Sequence, residues 1–396
     1  MSSIPQTAAP PRGSLFYDPR VRGLAYQLLL VLGLTFLIYS AASNAIENLR
    51  AAKIASGFGF LSTTSGFDIN QRLIAYSAAT STYGEAFIVG LLNTLLVAAI
   101  GIVLATILGF VVGIARLSSN WIVAKVAKVY VEMIRNVPLL LQLFIWYNAV
   151  LKPLPPPRQS LDLGAGFYLN NRGLFMPDPV FGAGAGFIGW ALVAGIAGSI
   201  AFRIWARKQQ EATGRQFPVG LVALGLIIGL PVVTFFAAGS PITLNYPSLR
   251  GFNFAGGLQI FPEFVALLVG LVTYTAAFIA EIVRAGILAV SRGQTEAAHS
   301  LGLRNGPTLR LVVIPQAMRV IVPPLTSQYL NLTKNSSLAV AIGYPDLVQV
   351  FMGTVLNQTG QAVEVIAITM AVYLTISLVT SLVMNIYNRR VAIVER

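Results

Sequence analysis

The stretch AFIVGLLNTLLVAAIGIVLATILGFVVGIA, from Ala86 to Ala115, runs 30 residues without a charged side chain. As a helix it would extend about 45 Å, longer than the roughly 30 Å hydrocarbon core of a bilayer. A helix apolar on every face belongs in lipid or in the centre of a large core. Four small residues, Gly101, Ala105, Gly109 and Gly113, recur along it at every fourth position. Such a stripe lets a second helix come close in lipid, so it reads as a packing surface and not as a ligand site. Gly225 and Gly229 repeat the pattern further along and carry the same expectation.

The rest of the chain follows this stretch. Its 396 residues are 56% hydrophobic and 10% charged, against about 25% charged in a soluble protein. Read from charge to charge, the sequence gives eight spans: 24–43, 86–115, 123–151, 183–202, 218–238, 264–287, 322–350 and 365–387. The fold class is therefore all-α and polytopic. The third span carries Glu132, Arg135 and Pro138, the sixth Glu281 and Arg284, and the seventh, the most polar, Lys334. Residues 44–84 read as a polar loop. The run Lys152-Pro153-Leu154-Pro155-Pro156-Pro157-Arg158 and the Gly-rich stretch after it read as an extended connection, since Pro runs favour polyproline II. Four parts result: 1–84 with the first span, 85–152, an inserted region 153–260 with two spans, and 261–396.

Charge sets the orientation. With the N-terminus in the cytoplasm, 19 of the 27 Lys and Arg fall on inner segments and 7 in outer loops, which places both ends inside. The net charge of +13 then reflects topology and not a nucleic-acid surface. Ser40-Ala41-Ala42-Ser43-Asn44-Ala45 has the small residues of a signal cleavage site, but the uncharged run from Gly23 to Ile46 exceeds a signal h-region. The first span is expected to stay. There is no Cys, one His, and no GxxxxGK[ST]. Disulfides, thiolate metal sites and P-loop ATP hydrolysis are excluded, and the composition speaks against metal or triad chemistry. No catalytic residue, metal or cofactor is expected in this chain.

One compact polar stretch interrupts the apolar pattern: TEAAHSLGLRNGP, Thr295 to Pro307. Thr295 fits an N-cap, with Glu296 in the favourable first turn. Ala297 and Ala298 favour helix and add almost no side chain. Gly302 suits a left-handed stop. Pro307 opens a second helix, about Thr308 to Val313, which is expected to stop before Pro315. The product is a short helix on the inner membrane face. Its small surface would fit a groove in a partner, and Glu296 would meet a cation there.

Glu296-Ala297-Ala298, then Gly302, then Val312-x-Ile314-Pro315 resembles the EAA signature of bacterial ABC importer permeases. Val312 and Ile314 depart conservatively from the family's I-x-L-P ending. The likeness implies a coupling helix that docks on an ATP-hydrolysing subunit, with Glu296, Ala297, Ala298, Gly302 and Pro315 as its marker residues. Gly90-Leu91-Leu92-Asn93-Thr94-Leu95, the run from Glu132 to Gln142, Ala280-Glu281-Ile282-Val283-Arg284-Ala285-Gly286-Ile287 and Leu332-Thr333-Lys334-Asn335-Ser336-Ser337-Leu338 are similar to the polar amino-acid permease subgroup. That likeness implies a five-helix core from spans two, three, six, seven and eight. The extra spans resemble those of general L-amino-acid importers and of relatives handling glutamate, glutamine, aspartate and asparagine. The resemblance thus covers nearly the whole chain. It implies a permease subunit in the bacterial inner membrane, importing L-amino acids by alternating access. The implied partners are an ABC ATPase dimer, a periplasmic amino-acid-binding protein and a second permease chain forming a heterodimer.

An ion-coupled secondary transporter explains the polar spans equally but not the EAA stretch, and a channel or scaffold subunit comes third. Lys334 has two open readings, because a charge deep in a span is costly and marks either function or a pair. It is the counter-charge to a substrate carboxylate, with Asn335 and Ser337 donating hydrogen bonds and Asn93, Asn136 and Gln142 completing the cavity; or it pairs with Glu281 and locks two helices.

Overall fold

The computed structural model describes residues 19–51 and 57–391. Of the Lys and Arg counted above, Arg12, Lys53 and Arg396 lie outside the described residues. Seven described helices are long and apolar enough to cross a membrane, and one bent pair makes an eighth.

The chain opens with α1 (Pro19–Ala51). A lobe at 57–82 leads to α2 (Tyr83–Ala115) through a reciprocal cap: the Thr82 hydroxyl accepts the Glu85 N–H, and the Glu85 carboxylate accepts the Thr82 N–H. The third span breaks. α3 (Trp121–Asn136) and α4 (Leu139–Phe144), which continues as a π-helical turn to Leu151, meet at 105°. The cause is Pro138, which lacks an N–H and cannot continue the helix before it. Gln142 repairs the break, its Nε2 donating to the carbonyls of Ile134 and Val137 at 2.9 Å each.

Strands β1 (Leu161–Asp162), β2 (Tyr168–Asn170), β3 (Gly173–Met176) and β4 (Asp178–Phe181) follow. Next come α5 (Ala185–Thr213), α6 (Val219–Leu224), α7 (Leu230–Ala237) and strands β5 (Ile242–Asn245), β6 (Ser248–Arg250), β7 (Asn253–Ala255) and β8 (Leu258–Ile260). An antiparallel sheet runs β1-β2-β3-β8, with Leu174 opposite Ile260, while β4 pairs with β5 and β6 with β7. Gly173 has φ +123°, and a Cβ there would lie 2.1 Å from the Ile260 carbonyl oxygen, so the sheet closes only over glycine.

The core returns with α8 (Pro262–Leu288), α9 (Arg292–Ser300) and α10 (Asn305–Thr308). A π-helical turn, Leu309–Val313, then leads into α11 (Ile314–Asn335). A 3-10 segment (Ser336–Ile342) and the left-handed Gly343 end that span. A π-helical segment (Val348–Val355), α12 (Leu356–Thr359) and α13 (Ala362–Val391) complete the chain.

The α2 stripe does what its spacing predicts. A Cβ on Gly109 would sit 2.6 Å from Ile279, and one on Gly113 2.7 Å from the Ala280 carbonyl oxygen. α2 and α8 therefore touch almost backbone to backbone. Gly225 and Gly229 do not follow the rule: a Cβ on either meets nothing within 4 Å. The close approach there is made by Gly195 of α5, whose Cβ would lie 2.3 Å from the Leu226 carbonyl oxygen. Gly225–Gly229 is a π-helical turn, so a spacing of four no longer marks one face.

Three further expectations change. The 57–82 lobe buries Phe60, Ile69 and Tyr76 against Tyr83, Phe351 and Val355, and is no bare polar loop. The seventh span covers Asn305–Ile342 instead of 322–350. Pro315 does not stop a helix before it, because the π-turn lets the Ile314 N–H reach back to Leu309 and absorbs the bond that proline cannot make.

Candidate functional site

α9 hangs between α8 and α11 on one end of the bundle. The sequence placed its N-cap at Thr295; the helix begins at Arg292 after the extended Ser291, so Thr295 lies inside it. Ser291-Arg292-Gly293-Gln294 has the capping-box spacing that marks a helix start, although the Ser291 side chain makes no cap bond. The stop is as expected. Gly302 has φ +78°. Its N–H donates to the His299 carbonyl at 2.9 Å, and the Leu303 N–H donates to the Ala298 carbonyl at 3.1 Å. These two bonds form a Schellman closure. Ala298 is buried beneath the helix, while Glu296, Ala297 and His299 face out. Leu301 is 82% exposed. Gln316 Nε2 donates to Gln294 Oε1 at 3.2 Å and ties α9 to α11. The result is a fixed, outward-facing turn with a small-residue surface and one bare leucine.

The substrate-path candidates separate. Lys334, which is exposed and not deep in the span, and Ser337 line one open cavity of ≈ 490 Å³ together with Thr369, Tyr373 and Ser377 of α13 and Met352. Ser337 is not a donor to that cavity, since its hydroxyl donates to the Lys334 carbonyl at 2.7 Å. Asn335 is half-buried and Asn136 exposed, and neither lines it. Asn93 Nδ2 donates to the carbonyls of Gln71 and Pro345 at 2.8 Å each, staking the 57–82 lobe and the 343–347 turn to α2. Gln142 staples the α3–α4 break. Both amides serve the backbone.

Glu281 and Lys334 do not pair. Glu281 is held by Arg116 and by Arg284, whose Nη2 lies 2.5 Å away. The reason is direction. Glu281 lies two turns from the α9 end of α8, whereas Lys334 lies near the opposite end of α11, about 30 Å along it at 1.5 Å per residue.

Two features went unread in the sequence. Thr369, Tyr373 and Ser377 form a polar stripe at a spacing of four on the eighth span, the signal that marks one helix face. Asp346 is a fully buried carboxylate within the supposed seventh span, where a lone acid is a candidate by default. Its Oδ1 accepts the Gln349 N–H at 2.8 Å and its Oδ2 accepts the Tyr373 hydroxyl at 3.4 Å, which ties the turn to the cavity wall. Beside it, Thr94 Oγ1 accepts the Leu347 N–H at 3.0 Å.

Residues 101–393 match the family described as binding-protein-dependent transport system inner membrane component. The chain is 52% identical over 383 residues to the general L-amino acid transport system permease protein AapQ of Rhizobium johnstonii, covering 97% of this chain and 95% of that protein. It is 43% identical over 431 residues to the glutamate/glutamine/aspartate/asparagine transport system permease protein BztB of Rhodobacter capsulatus, covering 100% of each. The glutamate/aspartate import permease protein GltJ of Escherichia coli is 33% identical over 236 residues, with 94% of that protein aligned to 56% of this chain.

Proposed function

Because the chain belongs to the family of binding-protein-dependent transport system inner membrane components, we propose that it carries L-amino acids, of broad or polar side-chain type, across the inner membrane. It is the multi-pass permease subunit of an ABC importer and not an enzyme. An ABC ATPase and a periplasmic binding protein are its partners. The named activities of its relatives support the amino-acid class.

The observation that carries the mechanism is the exposure of α9. A rigid helix end that presents Leu301 and Glu296 outward is suited to a cleft in a partner, since a desolvated anchor in a pocket carries most of an interface's energy. Closure of the ATPase dimer on ATP would push α9. The Gln294–Gln316 contact and the continuous helix from α10 to α11 would pass that push to the end carrying Lys334. The bias of Lys and Arg toward the α9 face supports a cytoplasmic α9, with both chain ends inside. A second permease chain, as a heterodimer, would close the path.

Lys334 is the cation of the cavity and meets the carboxylate common to all amino-acid substrates, with Tyr373 and Thr369 as polar wall. Proteoliposomes holding the assembled importer test this. Competition by a panel of L-amino acids should show broad uptake, and Lys334→Met should lower it at least about tenfold, the equivalent of one charge-assisted bond. Uptake by Lys334→Met with unchanged apparent affinity and rate would remove the lysine from the path.

A further inference from the structure

A second cleft opens on the α9 face where α2, α3 and α8 meet. Arg116 closes α2, Trp121 opens α3 and Arg284 stands on α8. With Lys125 and Lys128 they line a cavity of ≈ 510 Å³. The transport reading gives it no role.

Its charge is unbalanced. Arg116 and Arg284 share one carboxylate, Glu281, and their side chains are only 12% and 32% exposed. One positive charge is left over, partly out of water. Lys128 meets Glu132 at 3.6 Å with both side chains more than half exposed, a pair worth little. Lys125 has no acidic partner within 4 Å among the described residues. The N-terminus of α3, capped by Asn120, adds its positive end. Partly buried charge without a counter-ion is costly, and an anion relieves it.

The level of the cleft identifies the anion. Arg116 follows the last residue of the second span and Trp121 is the first of the third, so the cleft lies at the membrane boundary. Trp121 is 74% exposed, and tryptophan prefers the headgroup level. Next to the cleft α2 exposes the apolar side chains Ile107, Val111 and Ile114, and α3 exposes Ile122, Val126 and Val129. A cationic cleft beside an apolar wall fits a phosphate with acyl chains attached better than a free anion or a protein carboxylate.

We infer that this cleft binds the phosphate of an anionic phospholipid in the leaflet on the α9 face. Arg116 and Arg284 form its floor. Lys125 and Lys128 form its rim, and Trp121 flanks the glycerol level.

The test uses the full-length chain in bilayers of neutral phosphatidylcholine containing acyl-brominated phosphatidylglycerol or acyl-brominated phosphatidylcholine at equal fraction. The chain has 4 Trp, so the Trp121 signal is the difference between wild type and Trp121→Phe. Brominated phosphatidylglycerol should quench that signal at lower mole fraction than brominated phosphatidylcholine. Lys125→Gln and Lys128→Gln, both on the rim, should each reduce the preference about fivefold, and inorganic phosphate should not displace the lipid. Equal quenching by both lipids would overturn the inference, as would displacement by millimolar phosphate, which would indicate a free-anion site. Loss of quenching by both lipids when the ATPase subunit is added would show a protein surface filling the cleft, and would overturn it too.

Discussion

α8 and the α5–α7 hairpin are equally entitled to the membrane by hydropathy, at mean hydropathies of 2.0, 1.8 and 2.5, yet only α8 is inside the protein. Within the most apolar window 56% of α8 is buried, against 11% of α5 and none of the span through α6 and α7. The difference lies in small residues at the right places. Gly109 and Gly113 admit α8 against α2, and Gly286 admits α11, since a Cβ there would lie 2.3 Å from Ile321. In the hairpin one glycine, Gly195, does this work, and its other apolar faces stay exposed in this chain. Hydropathy locates spans; close approach decides which of them form the machine.

The largest effect is expected at the α2–α8 seam. Gly113→Leu should overpack it by about 1–3 kcal/mol or more and should remove most folded protein, whereas Gly229→Leu, with open space around it, should change stability by about 0.5 kcal/mol at most. Abundance and melting in detergent measure both. Similar losses at the two positions would erase the distinction.

The ion pairs of α8 come next. Glu281→Lys should destabilise the α9 end of the core, because it leaves Arg116 and Arg284 without their shared anion; breaking such a pair costs about 3–5 kcal/mol when fully buried, and less at this partly exposed site. Adding Lys334→Glu should not rescue uptake. Rescue by the double charge swap would mean that Glu281 and Lys334 do meet in the working cycle.

The smallest effect belongs to the loop between α5 and α6. Arg203, Arg207, Lys208 and Arg215 lie outside the core, and the Arg207–Glu211 pair at 3.1 Å is exposed, worth about 0.3–0.5 kcal/mol. Neutralising two of the four should leave uptake near wild type, consistent with a role in orientation. A large loss of ATPase stimulation with unchanged topology would assign this loop to docking instead.

Much of this was legible because it is local. Eight spans, the α2 stripe and the Gly302 stop each depend on residues a few positions apart. The strands were not, since segments of two to four residues among Gly and Pro carry too little alternation to register. The partner of Glu281 was not either. Charge alone makes Lys334 and Arg116 equal candidates, and only helix direction puts one of them at the wrong end. Asn93 and Gln142 looked like substrate groups because a polar residue in a span invites that reading, but each instead satisfies carbonyls freed where the chain bends. Asp346 was hidden by a span drawn eight residues too far, through a turn that Gly343 had already begun.

We propose that α9 couples this chain to ATP hydrolysis in its partner. ATPase activity of the assembled importer in liposomes, with and without amino-acid-loaded binding protein, tests it directly. Gly302 sits at φ +78° with nothing within 4 Å of a Cβ, so Gly302→Val brings backbone strain of about 1–2 kcal/mol and no clash in the core. The variant should insert at normal abundance, and its ATPase should no longer respond to the loaded binding protein. A wild-type response from Gly302→Val at equal abundance would show that α9 does not carry the coupling.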